Sequence, residues 1–594
     1  MSPTPTHPPD PVALPDGPAA GFLAYRAADA RRPAGTADLT VELAGAGTLR
    51  GLDACLRVAC ARAGLAVAVD NAPYGQLDQT VLGRGARPGP RALLLVWDAE
   101  WLLGDALLDP YAAGPAGLAE LLAGREAHLH RLLDAALADP ALTVLACSFV
   151  PPAGTALGIL EWRRADGLLA GLAAINRRLA ERCAADPRCW LVPAESVAAR
   201  FGLDRWSDAA LRLHGDIRIR PDALPWLAEA AAGILAARAG RVRKCLVLDA
   251  DGILWGGVLG EDGPDGVQLG PDGAGRAFQE FQRAVLALHR RGVILAICSR
   301  NDPADIERML ADHPGMILRP DHISARRIGW GGKAEGVRGI AAELNLGSDA
   351  LVFIDDDPAN RLAVRGALPG VLVPEPPAHP AEYAAFVRDA GWFPSLQLTA
   401  EDLAKGAQYA AQAERERYRA ESGDLGAFLA GLATVVAIAP LSPATRARAA
   451  QLCVKTNQFN TTLERLDEAA LETAAAAGAV IRTVQVSDRF GDHGLTGLVV
   501  AEPGPGTWRI RLLLLSCRVL GRMVEHAVLH ALAAEAGRAG ATALAIPCVA
   551  GPRNQPAREF LAGLGLEPLD GGPGVHGPLS GLPGCPSHLR LELT

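Results

Sequence analysis

Hydrophobic and polar positions along this chain follow two rhythms. Short apolar runs, among them Ala92–Val96, Leu142–Ala146, Cys245–Leu248, Val293–Ile297 and Leu351–Ile354, have the pattern of strands buried on both faces. Longer Ala/Leu/Arg-rich stretches of helical period lie between them, such as Leu168 to Ala184, Arg276 to Arg291 and Lys333 to Leu344. This alternation predicts parallel sheets whose polar strand ends gather on one edge, where open α/β sheets bind ligands. The rhythm changes near Asp424. There Val480–Val486, Leu495–Ala501 and Trp508–Leu515 predict three successive strands, and a helix follows from Met523.

A chain of 594 residues is too long for one ordinary domain, and about three are expected. Residues 1–36 read as a Pro-rich tail without order. An N-terminal α/β domain spans 37–241, a central α/β domain 242–376, a helical linker 377–423 and an α+β domain 424–594. The proline-laden stretch Pro374–Pro380 marks the end of the central domain. The N-terminal domain carries neither a Gly-Asp-Ser nor a Gly-x-Ser-x-Gly signature, and Asp98, Ser148 and His214 are far apart in sequence. It reads as a binding or docking module, with an eroded SGNH-hydrolase-like fold as one option.

Composition narrows the setting. The formal net charge is −8 with both signs mixed along the chain, so nothing points to nucleic acid or an anionic membrane surface. No apolar run approaches the length of a membrane span, and the opening residues lack the pattern of a signal peptide. The eleven cysteines include no C-x-x-C pair, which predicts a reducing, cytoplasmic setting without disulfides or structural zinc.

The chemistry concentrates in four ordered signals. The first strand of the central domain delivers Asp249 and Asp251 into a Gly-rich turn. The second ends at Cys298–Ser299–Arg300–Asn301–Asp302. Trp330–Gly331–Gly332–Lys333 opens a helix, and the last strand ends at Asp355–Asp356–Asp357–Pro358. An acid pair at a strand's carboxyl end can hold a divalent cation while one carboxylate attacks phosphorus and the other moves a proton. The order resembles a haloacid dehalogenase-type site, a Rossmannoid parallel-sheet fold. That resemblance implies Asp249 as nucleophile, Asp251 as general acid/base and Ser299 as phosphoryl ligand. It also implies Lys333 as the compensating cation and Mg²⁺ held by Asp249, Asp251, Asp355 and Asp356. The short gaps from Asp251 to Ser299 and from Ser299 to Lys333 leave no room for a large cap domain. Trp255 to Gly270 is the candidate flap. An uncapped site suits a substrate presented by a macromolecule, or a small metabolite under that flap.

In the last domain a strand ends at Ser516–Cys517–Arg518–Val519–Leu520–Gly521–Arg522 before the helix from Met523. A turn with backbone amides and arginines can cradle a phosphate. The arrangement resembles a GNAT-type acyltransferase, which implies Arg518, Gly521 and Arg522 as cofactor-binding residues, although Met523 stands where that pattern has glycine or alanine.

The whole order resembles the FkbH-like family of polyketide biosynthesis. The residues that carry the likeness are Leu254–Trp255–Gly256–Gly257, Gly260–Glu261–Asp262–Gly263 and Lys455–Thr456–Asn457–Gln458–Phe459–Asn460. The family implies a bifunctional glyceryltransferase/phosphatase. Such an enzyme takes 1,3-bisphosphoglycerate, removes its phosphates and loads a D-glyceryl unit on the thiol of an acyl carrier protein, for extender or tetronate-type units. A cysteine that holds the acyl group between the two steps would shield it from water. Cys298, beside Ser299, is the candidate, and Cys517 is the second choice. Two departures bear on substrate choice: Gly252–Ile253 follows Asp251 where the family has Asn-Thr, and His493 stands where Asn is usual. The alternative is a Mg²⁺-dependent phosphatase of a small metabolite or phosphoprotein with a separate acetyltransferase-like domain. A non-enzymatic docking scaffold is a third option, against which the retained Asp249, Asp251, Ser299, Lys333 and Asp356 argue.

Overall fold

The computed structural model describes residues 14–593 apart from 16, 34, 86–88, 113, 397–417, 420, 421 and 552. The chain forms two compact units, Met1–Arg241 and Val242–Thr594. Parallel sheets dominate both the first unit and the start of the second, so the chain is a mixed α/β protein of several domains.

The first unit is built on five parallel strands: β1 (Leu39–Gly45), β2 (Val67–Asn71), β3 (Arg91–Val96), β4 (Leu142–Cys147) and β5 (Cys189–Val192), in the order β2-β1-β3-β4-β5. The central strand β3 is buried along its whole length, which explains its unbroken apolar run. The expectation of an unstructured tail over 1–36 is corrected at 18–31. A helix spans Phe22–Arg31 and buries Tyr25 and Ala28 in the core, with the Tyr25 hydroxyl donating to Glu229. Two buried positions in ten leave almost no periodic signal, so only the tertiary contact reveals this helix. At the carboxyl edge of the sheet, the Ser148 hydroxyl is buried and accepts from the Glu195 amide at 3.0 Å. Asp98 caps the helix Ala99–Leu103 and pairs with Arg218 at 3.1 Å. His214 is exposed on the helix Ala209–Gly215. The three do not form a catalytic group.

The second unit begins with β6 (Cys245–Leu248), β7 (Ile294–Ser299), β8 (Ile323–Ile328) and β9 (Leu351–Ile354), all parallel in the order β8-β7-β6-β9. The strongly amphipathic helix Gly273–Arg290 connects β6 to β7 and buries Phe278, Phe281 and Val285. This domain extends beyond the expected end at 376. Tyr383, Val387 and Phe393 complete its core, because the helix Tyr383–Asp389 covers apolar surface on Gly273–Arg290. Of the helical linker expected over 377–423, residues 397–417, 420 and 421 lie outside the described residues.

The remainder is one mixed sheet: β10 (Thr434–Pro440), β11 (Phe459–Asn460), β12 (Val480–Asp488), β13 (Gly491–Glu502), β14 (Thr507–Leu515), β15 (Ala543–Pro547), β16 (Glu567–Pro568), β17 (Gly574–Pro578) and β18 (Leu589–Leu593). Strands β14 and β15 run parallel but pair only over Thr507–Arg509, then diverge. The short strand β11 pairs with the far end of β14, Phe459 with Leu515 and Asn460 with Leu514. On its other side the Val549 amide donates to Thr461 at 2.8 Å and the Asn554 side chain to the Asn460 carbonyl at 3.0 Å. Diverging strands expose unpaired backbone groups, and here the chain's own Phe459–Thr461 satisfies them. Among the described residues no helix is long and apolar enough to cross a membrane.

Candidate active site

The carboxyl ends of β6, β7 and β9 lie side by side, since Leu248 is level with both Ile297 and Ile354. Each strand therefore delivers its first polar residues to the same edge. Lys333 enters from the start of the helix Lys333–Glu343. Its ammonium lies 2.6 Å from Asp249 and 2.9 Å from Asp355, and it donates to the Cys298 carbonyl at 2.9 Å. Lys333, Asp249 and Asp355 are all buried, with Asp355 at 0% exposure. Asp355 is held further by the Asp357 amide and the Asn360 side chain, at 3.0 and 3.1 Å.

Burial and the Asp355 charge push the Asp249 carboxyl up to about 7, although Lys333 opposes the shift. Burial also works against the Lys333 ammonium, but Asp249 and Asp355 outweigh it and hold the lysine above its ordinary value. Burial and then Asp355 raise Asp356 as well. Three carboxylates against one ammonium leave an excess of negative charge. The donor atoms of Asp249, Asp355 and Asp356 lie within 4.8 Å of one another. Hard carboxylate oxygens in that arrangement fit a hard dication such as Mg²⁺.

The Asp251 carboxylate does not join this group, which corrects its expected place in the metal set. Its oxygens are taken up by the Trp255 indole at 2.8 Å, the Leu259 amide at 3.0 Å and the Asn301 amide group at 2.8 Å. Asn301 also donates to Ser299 at 3.1 Å, so it ties the acid/base candidate to the phosphoryl-ligand candidate. Sequence reasoning gave Asn301 and Asn360 no role. Asn301 lies in the polar end of β7 and Asn360 shortly after that of β9, and only the fold shows what they touch. Trp255 is fully buried, and its indole pins the start of the flap to Asp251. Gly252 has φ +69°, a left-handed conformation that glycine and asparagine adopt most readily. A glycine at this position meets that backbone requirement without strain. The Asp356 carboxylate leans into the space that a Cβ at Gly252 would occupy.

Cys298 is the main correction. It is 3% exposed, and successive strand residues face opposite ways, so its thiol points away from Ser299 into the core beside Val247 and Val337. Its sulfur sits where a Cβ on Gly336 would clash, at 2.6 Å. Burial raises this thiol to about 11 despite Lys333. A shielded, protonated thiol is a poor nucleophile, which argues against Cys298 as the acyl carrier. Cys517 is half-buried, at the mouth of the turn after β14.

The expected cofactor cradle is also corrected. Arg522 turns inward and donates to Asp488 at 2.9 Å, while His493 lies 3.0 Å from the same carboxylate. All three side chains are buried, so this arginine is committed to the core. Arg518 is buried and donates to the Ser516 hydroxyl at 3.2 Å. Gly521 has φ +77° and open space around its Cα.

Because a dication must displace the proton that Asp249 holds near neutrality, Mg²⁺ affinity will depend on pH. Apparent affinity is expected to rise about tenfold per pH unit below about 7 and to level off above it. Calorimetric titration of Mg²⁺ at several pH values measures this. An affinity that is flat between about pH 5.5 and 8 would remove Asp249 from the metal set.

No protein-family model matches this chain, and no curated protein matches it. Among solved structures it is similar to the phosphatase-containing N-terminal part of a Bacteroides fragilis protein, crystallised with Mg. That likeness has 26% identity and a TM-score of 0.56, and covers 64% of this chain and 99% of the other. The ribosomal-protein-S18-alanine N-acetyltransferase of Escherichia coli gives 12% identity and a TM-score of 0.19, over 26% of this chain and 97% of its own. The cobalt-bound deoxy-D-mannose-octulosonate 8-phosphate phosphatase of Haemophilus influenzae gives 18% and 0.18, over 28% and 99%. The first likeness supports a phosphatase-type α/β domain in this chain.

Proposed function

We propose that this chain is a Mg²⁺-dependent phosphatase of the haloacid dehalogenase type joined to a GNAT-like acyltransferase domain, acting as FkbH-like proteins do. It would load a D-glyceryl or related three-carbon unit from 1,3-bisphosphoglycerate onto the phosphopantetheine thiol of an acyl carrier protein. The observation that carries the phosphatase half is the buried Lys333 ammonium bracketed by Asp249 and Asp355, with Asp356 alongside.

In this reading an Asp249 oxygen attacks phosphorus to give an aspartyl-phosphate. Asp251, oriented by Trp255 and Asn301, protonates the leaving alkoxide and later takes a proton from water. Ser299 and Lys333 bind the phosphoryl oxygens. Bound Mg²⁺ would supply charge neutralisation at the carboxylate cluster, held by Asp249, Asp355 and Asp356. The carboxyl phosphate is already an activated acyl group, which a thiolate can displace without further energy input.

Two features weigh against the alternative of a separate acetyl-CoA-dependent domain. The chain's own β11 closes the gap between β14 and β15, and Arg522 is spent on Asp488. The test is intact-mass analysis of candidate holo-carrier proteins incubated with the protein and 1,3-bisphosphoglycerate. A glyceryl adduct on one carrier is expected. Phosphate release that is indifferent to every carrier, with no adduct, would favour the plain phosphatase.

A further inference from the structure

With Ser299 and Lys333 on the phosphoryl oxygens, the alcohol of a phosphate ester extends past them along the rim of the sheet. The gaps from Asp251 to Ser299 and from Ser299 to Lys333 are too short for a cap domain, and the start of the flap is pinned to Asp251. Discrimination between one ester and another therefore falls to the rim itself. A cleft of about 260 Å³ opens there, between the ends of β7 and β8 and the start of the helix Lys333–Glu343. Ser299 and Lys333 line it, and the Lys333 ammonium is 2.6 Å from Asp249, so the cleft begins beside the phosphoryl position. Glycines keep it open: a Cβ on Gly331 or Gly332 would meet nothing within 4 Å.

Two charged side chains in this cleft are uncommitted. The Asn301 side chain donates to Ser299 at 3.1 Å, so these two leave the strand end on one side, and Arg300 between them leaves on the other, into the cleft. Arg300 is exposed, and its guanidinium has no ion-pair or hydrogen-bond partner among the described residues. The cleft's other cations are engaged. Lys333 holds Asp249 and Asp355, while Arg327 pairs with Glu343 and donates to the Gly339 carbonyl at 3.3 Å. Glu335, in the first turn of the helix, is exposed, and its carboxylate likewise has no partner among the described residues. Arg300 and Glu335 thus share one small volume without pairing with each other. A guanidinium fork matches the oxygens of a carboxylate or phosphate, and a carboxylate accepts from a hydroxyl. The volume stands near the lower end for small-molecule sites, which suits a short alcohol.

We propose that Arg300 and Glu335 are the specificity-determining residues of the phosphatase site, Arg300 binding an anionic oxygen group on the leaving alcohol and Glu335 accepting from a hydroxyl beside it. The inference rests on the phosphatase reading above. It selects phosphate esters of small hydroxy acids over esters of alcohols that bear no second anion. In a phosphoglyceryl compound a carboxylate or an acyl phosphate presents its oxygens to Arg300, and the neighbouring hydroxyl turns to Glu335. Glu335 also repels an anion that brings no hydroxyl to satisfy it, so the choice is sharpened against the wrong substrate as well as toward the right one. Both residues grip a part of the substrate that does not react. Their loss therefore raises KM more than it lowers kcat.

Steady-state phosphate release by the full chain with Mg²⁺ tests this on D-3-phosphoglycerate, on its analogue without the hydroxyl, and on phenyl phosphate. The unmodified protein is expected to favour D-3-phosphoglycerate over both. Arg300→Gln should lower its preference for D-3-phosphoglycerate over phenyl phosphate roughly tenfold or more, through KM. Arg300→Lys should recover part of that preference, because it restores the charge without the fork. Glu335→Ala should lower the preference for D-3-phosphoglycerate over the analogue by about fivefold. A loss that falls equally on all the esters, or in kcat alone, overturns the assignment, as does either variant that keeps the original preferences. If the unmodified protein releases phosphate from phenyl phosphate and shows no preference for D-3-phosphoglycerate, the phosphatase reading stands and this assignment fails. Release from none of the esters overturns both.

Discussion

Asp249→Asn is expected to reduce phosphate release by roughly 10⁴-fold or more, because an amide cannot form the aspartyl-phosphate. The fold should survive. The Asn carbonyl can still accept from the Ala250 amide, which Asp249 does at 2.7 Å. Lys333 would keep Asp355 as its partner, at 2.9 Å. The substitution also has a pH signature that a merely damaged protein would lack. In the metal-free protein Asp249 titrates near 7, well above the ordinary value of 3.8, so the folded state binds its proton more tightly than the unfolded chain does. Stability is therefore lost as pH rises from 3.8 to about 7. The Asn variant has no such group, so its stability relative to the unmodified protein should climb over that window. Phosphate release assays and urea denaturation at several pH values measure both effects. Full turnover by a well-folded Asn variant would remove Asp249 as nucleophile.

Lys333→Met should be costly in two ways. It removes the ammonium from a buried site that keeps Asp249 and Asp355, 2.6 and 2.9 Å from where the charge was. Breaking a buried pair in this way costs about 3–5 kcal/mol, because the remaining charges stay buried without compensation. Loss of a cation aimed at the phosphoryl group should cost a further 10²–10³-fold in turnover, as an order of magnitude. The destabilisation should shrink at acidic pH, where the carboxylates protonate, and shrink again with added Mg²⁺. Denaturation at acidic and alkaline pH, with and without the metal, tests this. A loss that is equal under all four conditions would mean that Lys333 acts by packing its stem and not by its charge.

Much of the central domain was legible from local pattern. The four short apolar runs, the helices between them and the polar residues at each strand's end all depend on periodicity over a few residues, which the chain displays directly. The order Asp249, Ser299, Lys333, Asp355 was readable for the same reason. What each side chain touches was not. Cys298 and Ser299 are neighbours in sequence, and the alternation of a strand sends one into the core and the other to the edge. Asp251 matches the pattern of a metal ligand, yet Trp255 and Asn301 claim its oxygens. Arg522 lies in a turn suited to phosphate, yet Asp488, distant in sequence, holds it inside. The helix Phe22–Arg31 and the strand Phe459–Asn460 form because Tyr25 finds a core and because β14 and β15 diverge. The amino acid sequence alone determined which strands and helices form and which polar groups reach a sheet edge, since short-range sterics and hydrophobic period decide those. Tertiary structure alone decided which charges pair and which thiol is shielded, because those depend on distances between residues that the chain order does not encode.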